Sequence, residues 1–336
     1  MQRSLFILAF VALSFVGCSP SANTGDTNST GKPSVAGGNT AKKYRIAFIP
    51  KGSTHEFWKA MQAGAQAAAD ANNVELLWKG PLKEDDKADQ IKVVENFTTE
   101  KVDGIVLAPL DSEALKTPSQ EAIAKGIHMI IVDSGLKDVK TDSFIATDNE
   151  KAGFIGGERL AKSLGGKGKV IMLRYAIGSA STEEREKGFL AAAKAGGLEV
   201  VSEEQHGGAT RESAQTASEN LITRFKAGDG LTIQGIFCPN ESTAFGMMKA
   251  LQNAKLAGKV KFVGFDSSKE LLDAVMAGEI EGLVLQNPVN MGKLGIENMV
   301  KVLKGETIKD RIDTGATLVD KANMDSAEVK ALLGKK

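Results

Sequence analysis

The chain has little cysteine and no excess of charge of either sign, and each of these features argues against a class of protein. Two of its 336 residues are cysteine, so neither a disulfide framework nor a Cys-based metal site is expected. Lys and Arg number 42, as do Asp and Glu, so no overall field favours nucleic acid. Motifs such as Gly-x-Ser-x-Gly, His-Glu-x-x-His and Cys-x-x-Cys are missing, and the three histidines lie far apart. We therefore expect no enzyme, no catalytic residue, no cofactor and no metal.

Long apolar runs are also scarce, and the first one stands at the start of the sequence. Residues 4–15 carry no charge, follow a positively charged start, and precede small residues and Cys18. The run is shorter than the ~20 residues of a spanning helix, although a transmembrane anchor is the alternative. The order resembles the lipobox of bacterial lipoproteins. It implies a signal peptide over 1–18, lipidation at Cys18, and a place in the periplasm or on the outer face of the cytoplasmic membrane.

The next segment lacks what a folded core needs. Residues 19–43 are mostly Ser, Thr, Asn, Gly and Pro, with Val35 as the only bulky apolar residue. Such a composition cannot bury enough surface to offset the entropy of ordering, so we predict a disordered tether. Apart from the lipid, we expect no contact with the membrane.

Residues 44–336 alternate short apolar runs with amphipathic stretches. The runs at 44–49, 104–108 and 128–132, for example, are each followed by a polar loop or a helical pattern. Near-continuous apolar strands separated by helices indicate parallel sheets that are covered on both faces. We predict an α/β fold of two doubly wound, Rossmann-like lobes, with an eight-stranded βα barrel as the alternative.

Chemistry-bearing residues stand where the predicted strands end, which is where open α/β sheets bind ligands. Asp133 and Asp266 each follow an apolar run, and Phe57–Trp58 opens the first helix. Aromatic faces and carboxylates of this kind suit a sugar, whose ring stacks and whose hydroxyls hydrogen-bond. Asp266 as a helix cap and Phe57 as a core residue are the plainer alternatives.

Several motifs occur in the order typical of one family. They are FWKAMQAGA at 57–65, DGIVLAP at 103–109, TDN at 147–149, REKGF at 185–189, NE at 240–241, VGFD at 263–266 and KVLKGE at 301–306. The chain thereby resembles the ribose-binding-like family of periplasmic solute-binding proteins, which have the type I periplasmic binding fold. The resemblance implies a monomer that closes on a small sugar or related polyol and delivers it to the permease of an ABC importer.

The resemblance also implies a lobe division and a set of functional positions. The N-terminal lobe would comprise 44–147 plus 287–313, and the C-terminal lobe 148–286 plus 314–336. Hinge positions would be Asp148, Asn149, Asn287, Asp313 and Thr314. Ligand-binding positions would be Lys51, His55, Phe57, Trp58, Asp133, Ser134, Arg185, Asn240, Phe265, Asp266 and Gln286. In that set Phe57, Trp58 and Phe265 would be aromatic walls.

Three positions depart from the ribose-binding pattern. Ser134 stands where an Arg commonly follows the first carboxylate, and His55 stands where an Asn precedes the aromatic pair. An expected aromatic residue falls on Gly208–Ala209. One donor and one stacking face are thus predicted to be missing, and we expect a ligand that is bulkier than ribose or differently substituted.

Two further functions use the same residues. A ligand-sensing receptor would present its closed form to a membrane kinase or chemoreceptor, and sequence alone does not separate it from a transporter component. A carbohydrate-active enzyme would use paired carboxylates, but a barrel with strand-end glutamates would then be expected. A repressor with this core would carry a DNA-binding module where this chain has its signal peptide and tether.

Overall fold

The computed structural model describes residues 43–334, so the predictions for residues 1–42 lie outside it. In chain order the strands are β1 (Tyr44–Ile49), β2 (Val74–Trp78), β3 (Gly104–Leu107), β4 (His128–Val132), β5 (Ser143–Ala146), β6 (Gly168–Met172), β7 (Leu198–Ser202), β8 (Lys226–Ala227), β9 (Gly230–Leu231), β10 (Gly235–Phe237), β11 (Lys261–Phe265), β12 (Gly282–Leu285), β13 (Arg311–Asp313) and β14 (Thr317–Val319). The helices are α1 (Glu56–Ala71), α2 (Lys87–Thr99), α3 (Lys116–Ala124), α4 (Asn149–Ser163), α5 (Ala180–Ala195), α6 (Arg211–Arg224), α7 (Glu241–Asn253), α8 (Lys269–Ala277), α9 (Pro288–Leu303) and α10 (Ala327–Leu332). Within this range no helix is both long and apolar enough to cross a membrane.

Two six-stranded sheets form the framework. The first has the order β13-β5-β4-β3-β1-β2 and is parallel throughout. The second has the order β14-β12-β11-β10-β6-β7 and is parallel except for β14. Each sheet repeats the doubly wound order 2-1-3-4-5 and gains a sixth strand from the end of the chain. The predicted two-lobe α/β fold is confirmed, and the single barrel is excluded.

The chain passes between the sheets three times. It leaves the first sheet after β5, returns from β12 to α9, and crosses again between β13 and β14. Helix α4 packs on β10, β11 and β12, whereas α9 packs on β3, β4 and β5. We call the first sheet with α1, α2, α3 and α9 the first lobe, and the second sheet with α4 to α8 the second lobe.

Strand β1 shows why its residues form a sheet that is buried on both faces. Ile46 and Phe48 belong to an apolar cluster on one side, and Ala47 and Ile49 belong to another on the opposite side. Successive side chains of a strand point to opposite faces, so a continuous apolar run suits a sheet with helices on both sides.

Two helix pairs pack closely because each partner supplies a glycine. A Cβ on Gly153 of α4 would lie 1.9 Å from the carbonyl oxygen of Arg185, and one on Gly188 of α5 would lie 1.9 Å from that of Glu150. Helices α1 and α9 have the same arrangement through Gly64 and Gly292. The α4–α5 contact fixes the backbone that carries Arg185, one of the positions predicted to bind the ligand.

The structure differs from the sequence prediction mainly in short elements. Strands β8, β9, β13 and β14 have two or three residues each, and helix α10 has six. No apolar periodicity marks these elements in the sequence. Helix α5 begins at Ala180, with Ser179 as its N-cap residue.

Candidate functional site

The ends of four strands meet around one cavity between the two lobes. Lys51 follows β1, Asp133 follows β4, Tyr175 follows β6 and Asp266 follows β11. These are equivalent places in the two sheets, and they lie at the carboxyl edges where doubly wound folds bind ligands. The residues that line the cavity are Lys51, His55, Phe57, Trp58, Glu84, Asp133, Tyr175, Ser181, Thr182, Arg185, Asn240, Glu241, Asp266 and Gln286.

Asp133 and Asp266 have the same unusual backbone conformation. Each comes directly after its strand with a positive φ, 63° for Asp133 and 59° for Asp266. Asp tolerates this left-handed region better than most residues, and such conformations concentrate at functional sites. The two lobes therefore each aim one strand-end carboxylate into the cavity.

The first carboxylate is paired with a cation from another strand. Lys51 Nζ lies 2.9 Å from Asp133 Oδ2, and both side chains are about 5% exposed. Lys51 also donates to Ser181 Oγ at 3.1 Å in the second lobe. Lys51 thus places a cationic donor beside Asp133, although Ser134 at the next position carries no charge.

Ser134 does not line the cavity. It is fully buried, and its Oγ accepts a hydrogen bond from the backbone N–H of Ser181 at 3.1 Å. Its contact is with the opposite lobe and not with the cavity. The cavity residue on that side is Ser181 itself.

The second carboxylate belongs to a buried group with Arg185 and Gln286. Gln286 Nε2 donates to Asp266 Oδ1 at 2.7 Å, and Arg185 Nη1 lies 3.9 Å from Asp266 Oδ2. Burial raises the pKa of Asp266 to about 6, although Arg185 and Gln286 favour its charged form. Arg185 is held by Asn149 Oδ1 at 2.9 Å and by the carbonyl oxygen of Pro239 at 3.1 Å.

Phe265 does not form the predicted stacking wall. The Arg185 guanidinium lies over its ring at 4.0 Å from the centroid, and the ring is fully buried in the core of the second lobe. As the last residue of β11, Phe265 points to the covered face of the sheet, whereas Asp266 turns into the cavity. The ring therefore supports Arg185 and does not face a ligand.

Two polar atoms of this group have no protein partner. Arg185 is 2% exposed and Gln286 5% exposed, and neither Arg185 Nη2 nor Gln286 Oε1 has a hydrogen-bond partner among residues 43–334. Buried polar groups are nearly always satisfied, so these two atoms leave one donor and one acceptor unused on side chains that line the cavity.

The Glu84 carboxylate contacts three side chains on the other side of the cavity. Its Oε1 accepts from Trp58 Nε1 at 2.6 Å and lies 2.9 Å from His55 Nδ1, while its Oε2 accepts from Tyr175 at 2.7 Å. Burial alone would raise the pKa of Glu84, but His55, Trp58 and Lys51 together lower it to about 2. Burial would likewise lower the pKa of His55, but Glu84 raises it. The two side chains form an ion pair at the cavity wall.

Three aromatic rings line the cavity. Phe57 and Trp58 meet edge to face, with centroids 4.9 Å apart, as the sequence prediction of an aromatic wall requires. The third ring is Tyr175, which is 2% exposed and comes from the second lobe. Gly208–Ala209 supply no ring, and Tyr175 provides one from a different loop.

The remaining sequence-predicted residues take the following places. Asn240 lines the cavity, but its Oδ1 accepts from Thr243 N at 3.3 Å as the cap of α7. Asp148 caps α4, and its backbone N–H donates to Asp313 Oδ1 at 3.0 Å. Thr314 N donates to the carbonyl oxygen of Ala146 at 3.1 Å, and Asn287 caps α9. The positions predicted as hinges thus lie where the chain passes between sheets.

Five cavity residues were missed from sequence, namely Glu84, Tyr175, Ser181, Thr182 and Glu241. Glu84 lies in the charged run 83–87, which has the composition of a solvated loop. Tyr175 is one of only two tyrosines and comes three residues after a strand, which is the one signal that could have identified it. No group of three or more His, Cys, Asp or Glu side chains in the described range is arranged to hold a metal ion.

Comparison with known proteins finds similar sequences and structures over most of the chain. The family model described as "Periplasmic binding protein domain" matches residues 46–307. The ribose import binding protein of Haemophilus influenzae is 30% identical over 267 residues, which cover 80% of this chain and 88% of that protein. A carbohydrate transporter solute-binding protein of Agrobacterium radiobacter, solved with D-arabinose, is 34% identical with a TM-score of 0.82, covering 87% of this chain and 99% of that one. An ABC transporter solute-binding protein of Agrobacterium vitis, solved with D-fucose, is 34% identical with a TM-score of 0.81, covering 85% of this chain and 98% of that one.

Proposed function

This chain belongs to the family of the periplasmic binding protein domain, and from that premise we propose that it binds a neutral sugar or polyol between its lobes and delivers it to an ABC importer. The observation that carries the proposal is the pair of unsatisfied atoms, Arg185 Nη2 and Gln286 Oε1, whose side chains both contact Asp266 and line the cavity. A hydroxyl group accepts from the first and donates to the second. We propose a binding role and assign no catalytic one.

Charge pairing supports a neutral ligand. Each carboxylate that lines the cavity has a cationic partner: Asp133 pairs with Lys51, Glu84 with His55, Asp266 with Arg185, and Glu241 with Arg211. A ligand with its own charge would have to be desolvated without a free countercharge, which costs several kcal/mol. Phosphorylated, acidic and amino sugars should therefore bind much more weakly than neutral ones.

The two lobes contribute different groups to the cavity. The first lobe supplies Asp133, Lys51 and the aromatic pair, whereas Arg185, Asp266 and Gln286 come from the second lobe or its crossing. Only a closed cleft lets one ligand contact both sets, so the ligand stabilises closure. We propose lobes of 44–147 plus 287–313 and 148–286 plus 314–336, which move about Asp148, Asn149, Asn287, Asp313 and Thr314.

We further propose that the ligand-binding residues are those expected from sequence, with three changes. Lys51, His55, Phe57, Trp58, Asp133, Arg185, Asn240, Asp266 and Gln286 would contact the ligand, and Ser181 would join them. Ser134 and Phe265 would act through the neighbours they support, and Glu84 would hold His55 and Trp58 in place.

The proposed location is extracytoplasmic, with a lipid on Cys18, a tether over 19–43 and a monomeric folded part. Cells that express the chain should incorporate labelled fatty acid into it, and Cys18→Ala should remove the label and release the protein from membranes. Labelling that persists in the variant would contradict the anchor while leaving the sugar-binding proposal intact.

The binding proposal is tested by thermal unfolding of the purified protein with pentoses, hexoses, deoxysugars, polyols and nucleosides, followed by calorimetry. A ligand at 100 times its Kd stabilises the folded state by about 2.7 kcal/mol, which raises the unfolding temperature measurably. A neutral sugar that binds, with its 6-phosphate or amino derivative at least tenfold weaker, supports the proposal. A folded protein that responds to no member of the panel contradicts it.

A further inference from the structure

The lobes contact each other directly along a seam beside the cavity. The seam is formed by residues 175–181 of the second lobe and by loops that follow strands of the first. Ser112 N donates to the carbonyl oxygen of Gly178 at 2.9 Å, and Ser181 N donates to Ser134 Oγ at 3.1 Å. These bonds join protein to protein, so they contribute to closure whatever the ligand is.

Besides the bond from Lys51 to Ser181, the lobes share a second charge-assisted bond between side chains of low exposure. The Tyr175 hydroxyl donates to Glu84 Oε2 at 2.7 Å, Tyr175 is 2% exposed, and the Glu84 side chain is about 10% exposed. Hydrogen bonds to an ionised acceptor are stronger than neutral ones, and water cannot readily replace this one while the cleft is closed. The nearby contact from Lys87 Nζ to the carbonyl oxygen of Ile177 is 3.4 Å long and exposed, so it should contribute little.

The second oxygen of the same carboxylate holds the cavity wall. Glu84 Oε1 accepts from Trp58 Nε1 and pairs with His55, and both of these side chains line the cavity. A single carboxylate therefore joins the ligand-facing side chains of the first lobe to the phenol of the second. Rotation of that carboxylate would disturb both contacts at once.

We propose that Glu84 and Tyr175 form a latch that stabilises the closed cleft independently of the ligand and keeps His55 and Trp58 at the cavity wall. The proposal rests on the proposed function, because it assumes that the cleft opens and closes. Both residues are positioning residues. If a fraction of the protein is already closed, the apparent Kd for any ligand equals the intrinsic Kd divided by that fraction.

Tyr175→Phe tests the latch because it removes the hydroxyl and keeps the ring. The chain offers a matched control in Tyr44→Phe, since Tyr44 is its other tyrosine and its hydroxyl lies 3.5 Å from the carbonyl oxygen of Leu303, away from the cavity. Small-angle X-ray scattering of the full chain, without and with a sugar that binds the wild type, reports the radius of gyration of each variant.

We expect Tyr175→Phe without sugar to be more open than wild type, with the closed-to-open ratio about tenfold lower, which corresponds to about 1.4 kcal/mol. Tyr44→Phe should match wild type. Glu84→Gln should open the cleft to a similar degree, and the double variant should be little more open than either single one. Identical radii for wild type and Tyr175→Phe without sugar would overturn the latch.

The affinities of several sugars distinguish a latch from a direct contact between the Tyr175 hydroxyl and the ligand. A latch lowers the affinity for every sugar that binds by the same factor, whereas a lost contact lowers it unequally across sugars. Unequal factors would therefore overturn the proposal. A cleft that opens in Tyr175→Phe while no sugar binds even the wild type would instead contradict the sugar-binding function and leave the latch supported.

Discussion

Lys51 Nζ and Asp133 Oδ2 lie 2.9 Å apart, although the two residues follow different strands, β1 and β4, and are 82 positions apart in sequence. Both side chains are almost fully buried. Lys51 therefore neutralises the first-lobe carboxylate and, through Ser181, also reaches the second lobe. Loss of this one side chain should therefore affect both the charge balance of the cavity and the contact between the lobes.

Lys51→Met should destabilise the protein by about 3 kcal/mol, because it leaves the Asp133 carboxylate buried without its cation. Sugar affinity should fall as well, since a ligand hydroxyl would then meet an uncompensated charge. Urea unfolding followed by circular dichroism measures the free energy of unfolding. Lys59→Met is the control, since Lys59 pairs with Glu56 in an exposed position and such pairs contribute little. Equal losses in the two variants would contradict the buried pairing.

The strand-end carboxylates could be predicted from the sequence, and their partners could not. Asp133 and Asp266 end apolar runs, and the doubly wound order brings the ends of such runs together. No sequence rule states which lysine reaches Asp133, because that depends on the course of the loop after β1. The absence of an Arg at position 134 therefore did not reveal that Lys51 supplies a cation beside Asp133.

The same limit applies to Glu84 and to the short strands. Glu84 stands in a run of charges that is typical of a solvated loop, yet the loop folds back so that three donors surround its carboxylate. Strands β13 and β14 have three residues each and form because the chain crosses between two existing sheet edges. Long amphipathic helices have a local apolar period and buried strands are continuous apolar runs, whereas these features depend on tertiary contacts.

The stability of the protein should depend on pH through Asp266. Its pKa is raised from 3.8 to about 6 on folding, so between pH 4 and pH 6 the folded state holds a proton that the unfolded state has lost. The contribution of Asp266 to the free energy of unfolding therefore falls as pH rises through this window, by about 3 kcal/mol in total. Asp266→Asn cannot titrate and should lack this term.

The measurement is the unfolding free energy of wild type minus that of Asp266→Asn, from urea unfolding at pH 4, 5, 6, 7 and 8. The difference should fall from pH 4 to pH 7 and be nearly flat from pH 7 to pH 8, which serves as the internal control. A difference that is constant over the whole range, or that rises with pH, would show that burial does not raise the pKa of this carboxyl.

Arg185→Lys should abolish most sugar binding, because a lysine keeps the charge and loses the planar fork that carries Nη2. We expect the Kd to rise at least 100-fold by calorimetry, with the loss of stacking on Phe265 adding to the effect. Arg159→Lys is the control, since Arg159 pairs with Glu281 and Asp320 on the second lobe and does not line the cavity. Comparable loss of affinity in both variants would indicate that either substitution disturbs the second lobe as a whole, and would contradict a specific role for Arg185 in binding.

Gly153→Ala should weaken both the fold and the site, because α4 and α5 are in contact at this point. The added Cβ would lie 1.9 Å from the carbonyl oxygen of Arg185, so α5 must move and carry the guanidinium away from Asp266. We expect a loss of about 2 kcal/mol in unfolding free energy and at least a tenfold rise in the Kd for a bound sugar. Gly230→Ala is the control, because its nearest neighbour would be 3.8 Å away in the β8–β9 hairpin. A Gly153→Ala protein that is destabilised but binds with unchanged Kd would show that the α4–α5 contact supports the fold without positioning Arg185.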